Sequence, residues 1–268
     1  MSGRYDVFAV APAYEGYMGR WSRLVAREFV RWLAVPTRRR WLDVGCGTGA
    51  LTEVVVEAGE ARSVVGVDPA AGFVQHARAL VFETAEVQFL QGDALALPVG
   101  SVDFDAVVSG LVLNFVPEPA RMVAEMVRAA MPGGTVALYV WDMSGSVELI
   151  ARFWEVATTA DPSAAALAEP GRFREICTPE ALEAFFTEAG LLDVASRAID
   201  VPTVFRDFDD YWTPFLGGQG PAPAFLASLP EPRQEAIRDE LRTRLAPSQD
   251  GSIRLNARAW AVRGTKPS

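Results

Sequence analysis

Three glycines at alternate positions, Gly45, Gly47 and Gly49, lie within the segment Trp41-Leu-Asp-Val-Gly-Cys-Gly-Thr-Gly-Ala50. The apolar residues before them are typical of the end of a buried strand, and the apolar run after them is typical of a helix. Glycines in such a turn let the chain bend sharply and leave no Cβ between the backbone and a ligand. The free N–H groups of the following helix point at the same place. The segment therefore predicts a ligand-binding turn between a strand and a helix.

The acidic residue Asp43, two positions before Gly45, indicates the charge of the ligand. A carboxylate repels a pyrophosphate and attracts an ammonium group. The dinucleotide fingerprint G-x-G-x-x-G also places its third glycine one residue later than Gly49. These two features favour a small cationic ligand and count against a nicotinamide-dependent oxidoreductase, which stays as the less favoured alternative.

Two further acids follow predicted strands. Asp68 ends the apolar segment 63–69, 19 residues beyond Gly49. An acid at the tip of the second strand can accept hydrogen bonds from both ribose hydroxyls of an adenosine. Asp93 stands in Gly92-Asp93-Ala94, directly after the third predicted strand, 87–91. Both acids are therefore candidate ligand contacts.

Strands and helices alternate over residues 41–142 with short connections. This pattern predicts a Rossmann-like α/β fold: a doubly wound, mostly parallel seven-stranded sheet with helices on both faces and an antiparallel last strand. Ligands of such sheets bind beyond the carboxyl ends of the strands. We expect one domain overall, with three parts. They are an N-terminal cap loop and helix (1–40), a cofactor-binding core (41–142), and the rest of the sheet with helical and aromatic insertions on the side of the second substrate, the acceptor (143–268).

Four segments together resemble class I S-adenosylmethionine-dependent methyltransferases. Leu42-Asp-Val-Gly-Cys-Gly-Thr-Gly49 is similar to the first motif of that family, and Gly92-Asp93-Ala94 is similar to its adenine-binding motif. Ser109-Gly-Leu-Val-Leu-Asn-Phe115 and Arg128-Ala-Ala-Met-Pro-Gly-Gly-Thr135 resemble the fourth motif and the element after it. The most similar subgroup includes ubiquinone and menaquinone C-methyltransferases. The resemblance implies S-adenosyl-L-methionine as cofactor and a small-molecule methyl acceptor, methylated on oxygen, nitrogen or carbon.

The resemblance also implies which residues contact the cofactor. The glycine turn would wrap its amino-acid and sulfonium end, and Arg20 is a candidate partner for its carboxylate. The full predicted cofactor-binding set is Tyr14, Arg20, Asp43, Gly45, Gly47, Gly49, Asp68, Pro69, Asp93, Ala94, Ser109 and Asn114.

No catalytic residue is identified. Methyl transfer expels a neutral thioether, so it needs no acid for the leaving group, and it needs a base only if the nucleophile must lose a proton. Asn114 stands where related enzymes often carry a histidine; Tyr139, Asp142 and His76 are the remaining candidate proton acceptors. A non-catalytic S-adenosylmethionine-binding protein therefore stays open as an alternative.

Two segments are candidates for binding the acceptor, because small-molecule pockets are mostly apolar and aromatic. One is the N-terminal loop before the first helix, and the other is the aromatic stretch 202–232. The predicted acceptor contacts are Tyr17, Met18, Trp141, Tyr211 and Trp212. The alternative interpretation of the aromatic stretch is packing of the C-terminal part on the sheet.

Composition narrows the class of protein further. A formal net charge of −9 argues against broad contact with nucleic-acid phosphates. Two cysteines and one histidine, without metal-ligand spacing, predict no metal site. No apolar run reaches the length of a membrane span, and the start of the chain lacks a secretory signal, so we expect a cytoplasmic protein. A homodimer stays open.

Overall fold

The computed structural model describes residues 19–168, 175–217 and 220–268. Its seven strands form one sheet in the order β3-β2-β1-β4-β5-β7-β6. The strands are β1 Arg40–Val44, β2 Ser63–Asp68, β3 Glu86–Gln91, β4 Phe104–Gly110, β5 Ala130–Trp141, β6 Leu192–Phe205 and β7 Ile253–Thr265. Neighbours are parallel except β7, which pairs antiparallel with β5 and β6. The predicted fold class is confirmed.

Helices cover both faces of the sheet. They are α1 Arg20–Leu33, α2 Ala50–Ala58, α3 Ala71–Ala77, α4 Pro119–Ala129, α5 Glu148–Ala160, α6 Ala165–Ala168, α7 Pro179–Glu188, α8 Phe208–Trp212, α9 Pro221–Ser228 and α10 Glu231–Arg244. Local sequence fixes several ends: α7 starts at a proline, and the Thr178 hydroxyl caps it by accepting from the Ala181 N–H at 3.2 Å. Among the described residues, no helix is long and apolar enough to cross a membrane.

Alternate residues of the central strands pack on the two helical layers. In β5, Tyr139 faces the layer of α1 and α2, whereas Leu138 faces the layer of α4 and α7. In α1, one fully buried face carries Val25 and Phe29, and the Phe29 ring meets Tyr139 edge-on at 4.8 Å. This packing fixes α1 across the sheet, with its first turn at the carboxyl ends of the parallel strands.

Three element boundaries differ from those that the sequence predicts. The segment Pro132-Gly-Gly134 is typical of a break between a helix and a strand, but it belongs to β5, which begins at Ala130 and pairs with β4 across a register shift. Residues 70–82 are predicted as one helix, but that helix covers only Ala71–Ala77. A sixth strand is predicted over residues 191–199, but β6 continues to Phe205, because residues 202–205 pair with residues 253–256 of β7.

The aromatic stretch forms a packed cluster with α5. Phe215 stacks on Phe153 at 4.7 Å, and Tyr211 meets Phe205 edge-on at 5.3 Å. The rings of Phe153, Phe205, Tyr211 and Phe215 are at most 1% exposed, and Trp212 is 7% exposed. The aromatic residues therefore fill the space between β6, α5 and the helices that follow β6.

Phe29 tests how strongly α1 depends on the sheet. Truncation of a fully buried phenylalanine removes its contacts and leaves a cavity, so Phe29→Ala should lower the free energy of unfolding by about 3–5 kcal/mol. Urea unfolding followed by circular dichroism measures this loss. Val81→Ala, at a side chain that is 86% exposed, is the control and should change little. A loss below about 1 kcal/mol in Phe29→Ala would contradict the packing of α1 described here.

Candidate active site

The glycine turn connects β1 to α2 in a conformation that glycine favours. Gly45, Gly47 and Gly49 all have positive φ, at 75°, 53° and 95°. The backbone N–H groups of Gly45 and Cys46 both donate to the carbonyl oxygen of Val67, at 2.7 and 3.0 Å. The turn is therefore fastened to the end of the neighbouring strand β2.

Side chains would not be tolerated equally along the turn. A Cβ on Gly45 would lie 2.3 Å from a methyl carbon of Val112, and one on Gly49 would lie 2.7 Å from Leu80. A Cβ on Gly47 would meet nothing within 4 Å among the described residues. The backbone at Gly47 therefore borders open space, as a turn that receives a ligand requires.

Asp68 holds the turn from the side of β2. Its Oδ2 accepts from the N–H of Gly47 at 3.0 Å, and its Oδ1 accepts from the N–H of Ala70 at 2.9 Å. Burial raises the pKa of this carboxyl, and the two backbone hydrogen bonds act against that rise. Each carboxylate oxygen keeps a second lone pair, so the predicted role toward ribose hydroxyls is compatible with this structural role.

Asp43 is fully buried beneath the turn. Its Oδ2 accepts from the Thr52 hydroxyl at 2.7 Å, whereas its Oδ1 has no hydrogen-bond partner among the described residues. Desolvation is the main cause that raises the pKa of Asp43 to about 7, with a further contribution from the charge of Asp68. An unpartnered buried acceptor next to a ligand-binding turn fits a cationic group of a ligand.

The predicted adenine motif lies after β3. The Oδ1 of Asp93 accepts from the N–H of Leu95 at 2.9 Å, which shapes the loop, and Asp93 itself is exposed. Ala94 is 7% exposed. Pro69 is exposed after β2, and its carbonyl oxygen accepts from the Gln91 side chain at 3.1 Å. The structure thus brings the ends of β2 and β3 together.

The fourth motif lies on the other side of β1. The Ser109 hydroxyl donates to the carbonyl oxygen of Val44 at 2.7 Å, which joins β4 to the end of β1. Asn114 lies in the 3₁₀ turn Leu113–Phe115 and is 9% exposed. Trp141, at the end of β5, is also 9% exposed. These residues border the same edge of the sheet as the glycine turn.

Among the described residues, the side-chain contacts of Arg20 lie away from the glycine turn. Its Nη1 donates to both carboxylate oxygens of Asp210, at 3.1 and 3.3 Å. Its guanidinium carbon lies 4.4 Å from the centre of the Trp21 ring and 4.7 Å from that of Phe205. The structure thus places Arg20 against the end of β6, and its contact with a cofactor carboxylate stays a prediction.

The candidate proton acceptors are dispersed. His76 lies on an exposed position of α3. Tyr139 is 2% exposed in the middle of the sheet, against Phe29. Asp142 is 4% exposed, and its Oδ1 accepts from the N–H of Ser144 at 3.0 Å. The catalytic residue therefore stays unassigned.

Three of the predicted contacts, Tyr14, Tyr17 and Met18, lie outside the described residues. Tyr211 is completely buried, and its hydroxyl donates to the carbonyl oxygen of Leu149 at 3.1 Å. Trp212 packs beside it. This placement satisfies the packing interpretation of the aromatic stretch, and acceptor contact by Tyr211 or Trp212 stays a prediction.

Sequence reasoning missed two residues that shape the site. Thr52, in the first turn of α2, holds Asp43, and its only sequence signal is a hydroxyl within an apolar helix. Val112 occupies the space that a side chain at Gly45 would need. Among the described residues, no group of three acidic, cysteine or histidine side chains could hold a metal ion.

The comparisons with known proteins agree with this geometry. The family model of the methyltransferase domain matches residues 42–138, which run from β1 into β5. The predicted resemblance to class I S-adenosylmethionine-dependent methyltransferases is thereby confirmed for residues 42–138, which match the methyltransferase domain. S-adenosylmethionine is the cofactor of this class of domain. The glycine turn, the buried Asp43 and the acid at the tip of β2 fit that cofactor.

Relatives extend the comparison to the quinone-methylating subgroup. The chain is 36% identical over 137 residues to a demethylmenaquinone methyltransferase of Renibacterium salmoninarum, covering 48% of this chain and 54% of the relative. It is 36% identical over 110 residues to a 2-phytyl-1,4-naphtoquinone methyltransferase of Thermosynechococcus vestitus, covering 41% and 49%. The matched region thus spans about half the length of each relative.

A solved structure shares the fold. It is a phosphoethanolamine N-methyltransferase of Haemonchus contortus, in complex with phosphomonomethylethanolamine and S-adenosylhomocysteine. Its TM-score is 0.59 at 16% identity, and the match covers 99% of this chain and 59% of that chain. This likeness supports the Rossmann-like methyltransferase fold and leaves the acceptor undecided.

Asp43→Asn should separate stability from cofactor binding. In the folded protein the pKa of Asp43 is raised from 3.8 to about 7. The contribution of Asp43 to the free energy of unfolding is therefore fully present below pH 3.8 and is lost as the pH rises through about 7. The variant should therefore have a higher Tm than the wild type at pH 8, and the difference should shrink toward pH 4. Loss of the negative charge should weaken S-adenosylmethionine binding at pH 8 by about tenfold or more.

Calorimetric titration and a thermal melt at pH 4, 6 and 8 measure both effects. Asp239→Asn, on the exposed surface of α10, is the matched control. Wild-type affinity in Asp43→Asn would show that the buried carboxylate does not face the cofactor.

Asp68→Ala removes one hydrogen bond to the glycine turn and one to the N–H of Ala70, as well as the predicted ribose contact. S-adenosylhomocysteine affinity should fall by about tenfold or more, and Tm should also fall, because two hydrogen bonds to a charged group are lost. Asp93→Asn should weaken binding less, since its amide can still accept a hydrogen bond. Calorimetry measures the affinity of both variants, and thermal melts measure their Tm. Equal affinities in Asp68→Ala and Asp93→Asn would contradict the predicted order.

Proposed function

We propose that the protein transfers a methyl group from S-adenosylmethionine to a small aromatic acceptor of the quinone type, in its reduced, hydroxylated form. The single observation that carries the proposal is the cradle at the carboxyl end of β1: an open backbone at Gly47 above the buried, half-satisfied carboxylate of Asp43. The methyltransferase domain match and the two quinone-methylating relatives support the acceptor class.

The residues of the cradle divide the work of holding the cofactor. In the proposal, the Asp43 carboxylate faces the cationic amino-acid end, and the Asp68 carboxylate accepts from the ribose hydroxyls. Asp93 and Ala94 bind the adenine. Because Asp68 also accepts from the Gly47 N–H, ribose binding and the shape of the turn are coupled.

The chemical step forms one bond from the methyl carbon to the acceptor, breaks the bond to sulfur and releases one proton from the hydroquinone, so only the acceptor side requires a proton transfer. When bound, S-adenosylmethionine supplies a methyl group on a sulfonium, and the departing group is a neutral thioether. The chain must hold the acceptor carbon or oxygen in line and exclude water. Three residues border the space in which we place the acceptor: Ser109 near the end of β4, Asn114 in the turn after it, and Trp141 at the end of β5. Acceptor contacts from Tyr17, Met18, Tyr211 and Trp212, a cytoplasmic location and a homodimer remain proposals.

The experiment has a binding part and a turnover part. Calorimetry should show S-adenosylhomocysteine binding and no NAD binding, because Asp43 repels a pyrophosphate. Incubation with S-adenosylmethionine and 1,4-naphthohydroquinone under anaerobic conditions should then yield a methylated product by mass spectrometry. The Asp43→Asn variant is the control that lowers both signals. NAD binding in place of S-adenosylhomocysteine would refute the cofactor, whereas cofactor binding without methylation would refute the quinone-type acceptor.

A further inference from the structure

Buried polar atoms without partners are concentrated where the start of α1 meets the end of β6. Of six such atoms among the described residues, four belong here: Arg20 Nε and Nη2, Trp21 Nε1 and Thr203 Oγ1. Trp21 is 8% exposed and Thr203 is 1% exposed. Leaving a buried donor unpaired is unfavourable, because the donor has lost its hydrogen bonds to water without gaining another. A cluster of unpaired donors at the carboxyl edge of the sheet therefore indicates a binding site for a polar ligand.

The four atoms belong to one structural group. The Arg20 guanidinium stacks on Trp21 and on Phe205, and the two rings meet edge-on at 5.4 Å. Thr203 precedes Phe205 by two residues in β6, and both are buried. Their side chains thus share one face of the strand, about 7 Å apart along it. That face is the one on which α1 packs.

Asp210 sets the orientation of the guanidinium. It accepts from Nη1 of Arg20 at 3.1 Å and also from the backbone N–H of Arg206 at 3.0 Å. Burial acts to raise the pKa of Asp210, but these hydrogen bonds and the two arginine charges hold it below its usual value. Asp210 is therefore a fixed anion on one side of Arg20. The Nε–Nη2 edge, which can donate two parallel hydrogen bonds, is left for another partner.

The donor set selects the chemistry of that partner. A guanidinium edge and an indole N–H can only donate, and a threonine hydroxyl can donate as well as accept. Arg20 and Arg206 against Asp210 leave one positive charge in the group. An anionic oxygen pair can accept a hydrogen bond from each of these groups, whereas an ammonium group can accept from none of them.

We propose that Arg20, Trp21 and Thr203 form a subsite that binds an anionic oxygen group of the methyl acceptor, a carboxylate or a phenolate. This inference rests on the proposed function. Its position distinguishes the subsite from the cofactor cradle: β6 is four strands from β1, about 19 Å across the sheet at ~4.8 Å per strand. One helical turn beyond Arg20, Arg23 pairs with Glu53 at the start of α2, so α1 links the subsite to the glycine turn.

The test uses a matched pair of aromatic probes on the full chain saturated with S-adenosylhomocysteine. 2-Naphthoate carries the carboxylate, and 2-naphthamide has nearly the same shape without the charge. Two variants each remove a donor and keep the packing: Thr203→Val loses the hydroxyl, and Arg20→Lys keeps a charge for Asp210 but loses the planar edge. The control is Arg27→Lys, which is also on α1 and whose arginine forms an exposed ion pair with Glu57 of α2.

Calorimetry should show that each test variant weakens 2-naphthoate binding by about tenfold, since a hydrogen bond to a charged group is lost, and leaves 2-naphthamide binding unchanged. S-adenosylhomocysteine affinity should stay within about twofold in Thr203→Val, and Arg27→Lys should match the wild type. Thr203→Val should also keep or raise the Tm without ligand, because it removes an unpaired buried hydroxyl.

Three results would overturn the inference. One is wild-type protein that does not bind 2-naphthoate, and another is unchanged 2-naphthoate affinity in both variants. A third is a parallel loss of S-adenosylhomocysteine affinity, which would assign Arg20 to the cofactor carboxylate. In all three cases wild-type cofactor binding and methyl transfer to the naphthohydroquinone would still stand if the proposed function is right, so the two failures are distinguishable.

Discussion

The site depends on the hydrogen bonds that tie the glycine turn to the last two residues of β2. Three consecutive N–H groups, from Gly45 to Gly47, donate to Val67 and Asp68. Two of these bonds join backbone groups alone, whereas the third depends on the Asp68 carboxylate. β1 and β2 are neighbours by virtue of parallel pairing, so the sheet itself positions the cradle. Helix α2 holds the other end of the turn, since the N–H of Glu53 donates to the carbonyl oxygen of Gly49 at 2.9 Å.

Burying charged groups is unfavourable, and in this protein the buried charges lie where a bound ligand can offset that unfavourable free energy. Two carboxyl groups, Asp43 and Asp68, are buried close enough for the charge of one to raise the pKa of the other. In the described structure, the hydrogen bonds that these carboxyl groups accept come from the Thr52 hydroxyl and from backbone N–H groups. A core built for stability alone would not hold two acids in this way. The same argument applies at the other end of the carboxyl edge, where two nitrogen atoms of the partly exposed Arg20 side chain, Nε and Nη2, are buried without partners among the described residues.

The residues of the cradle could be predicted from the sequence, but the contacts around the cradle could not. Gly45, Gly47, Asp43 and Asp68 were predictable because strand, turn and helix are local in sequence and each residue type has a physical role there. The pair of Arg20 with Asp210 joins residues 190 positions apart, and no periodicity signals such a contact. The aromatic stretch was ambiguous for a related reason: the composition of a binding pocket and that of a packed core are alike, and only burial distinguishes them. Strand β6 was predicted too short because Pro202 marks an edge strand as well as a loop.

The turn also affects the reactivity of the cysteine that it contains. Cys46 lies within the cradle, where a nucleophilic thiol would compete for electrophiles. Desolvation and the charges of Asp43 and Asp68 raise its pKa far above the usual value, and burial raises the pKa of Cys177 to about 12. Thiolate is the form that reacts with peroxide, disulfides and alkylating agents. These are the two cysteines of the chain, and both are thus kept as inert thiols, so an alkyl-transferring site can contain sulfur without alkylating itself.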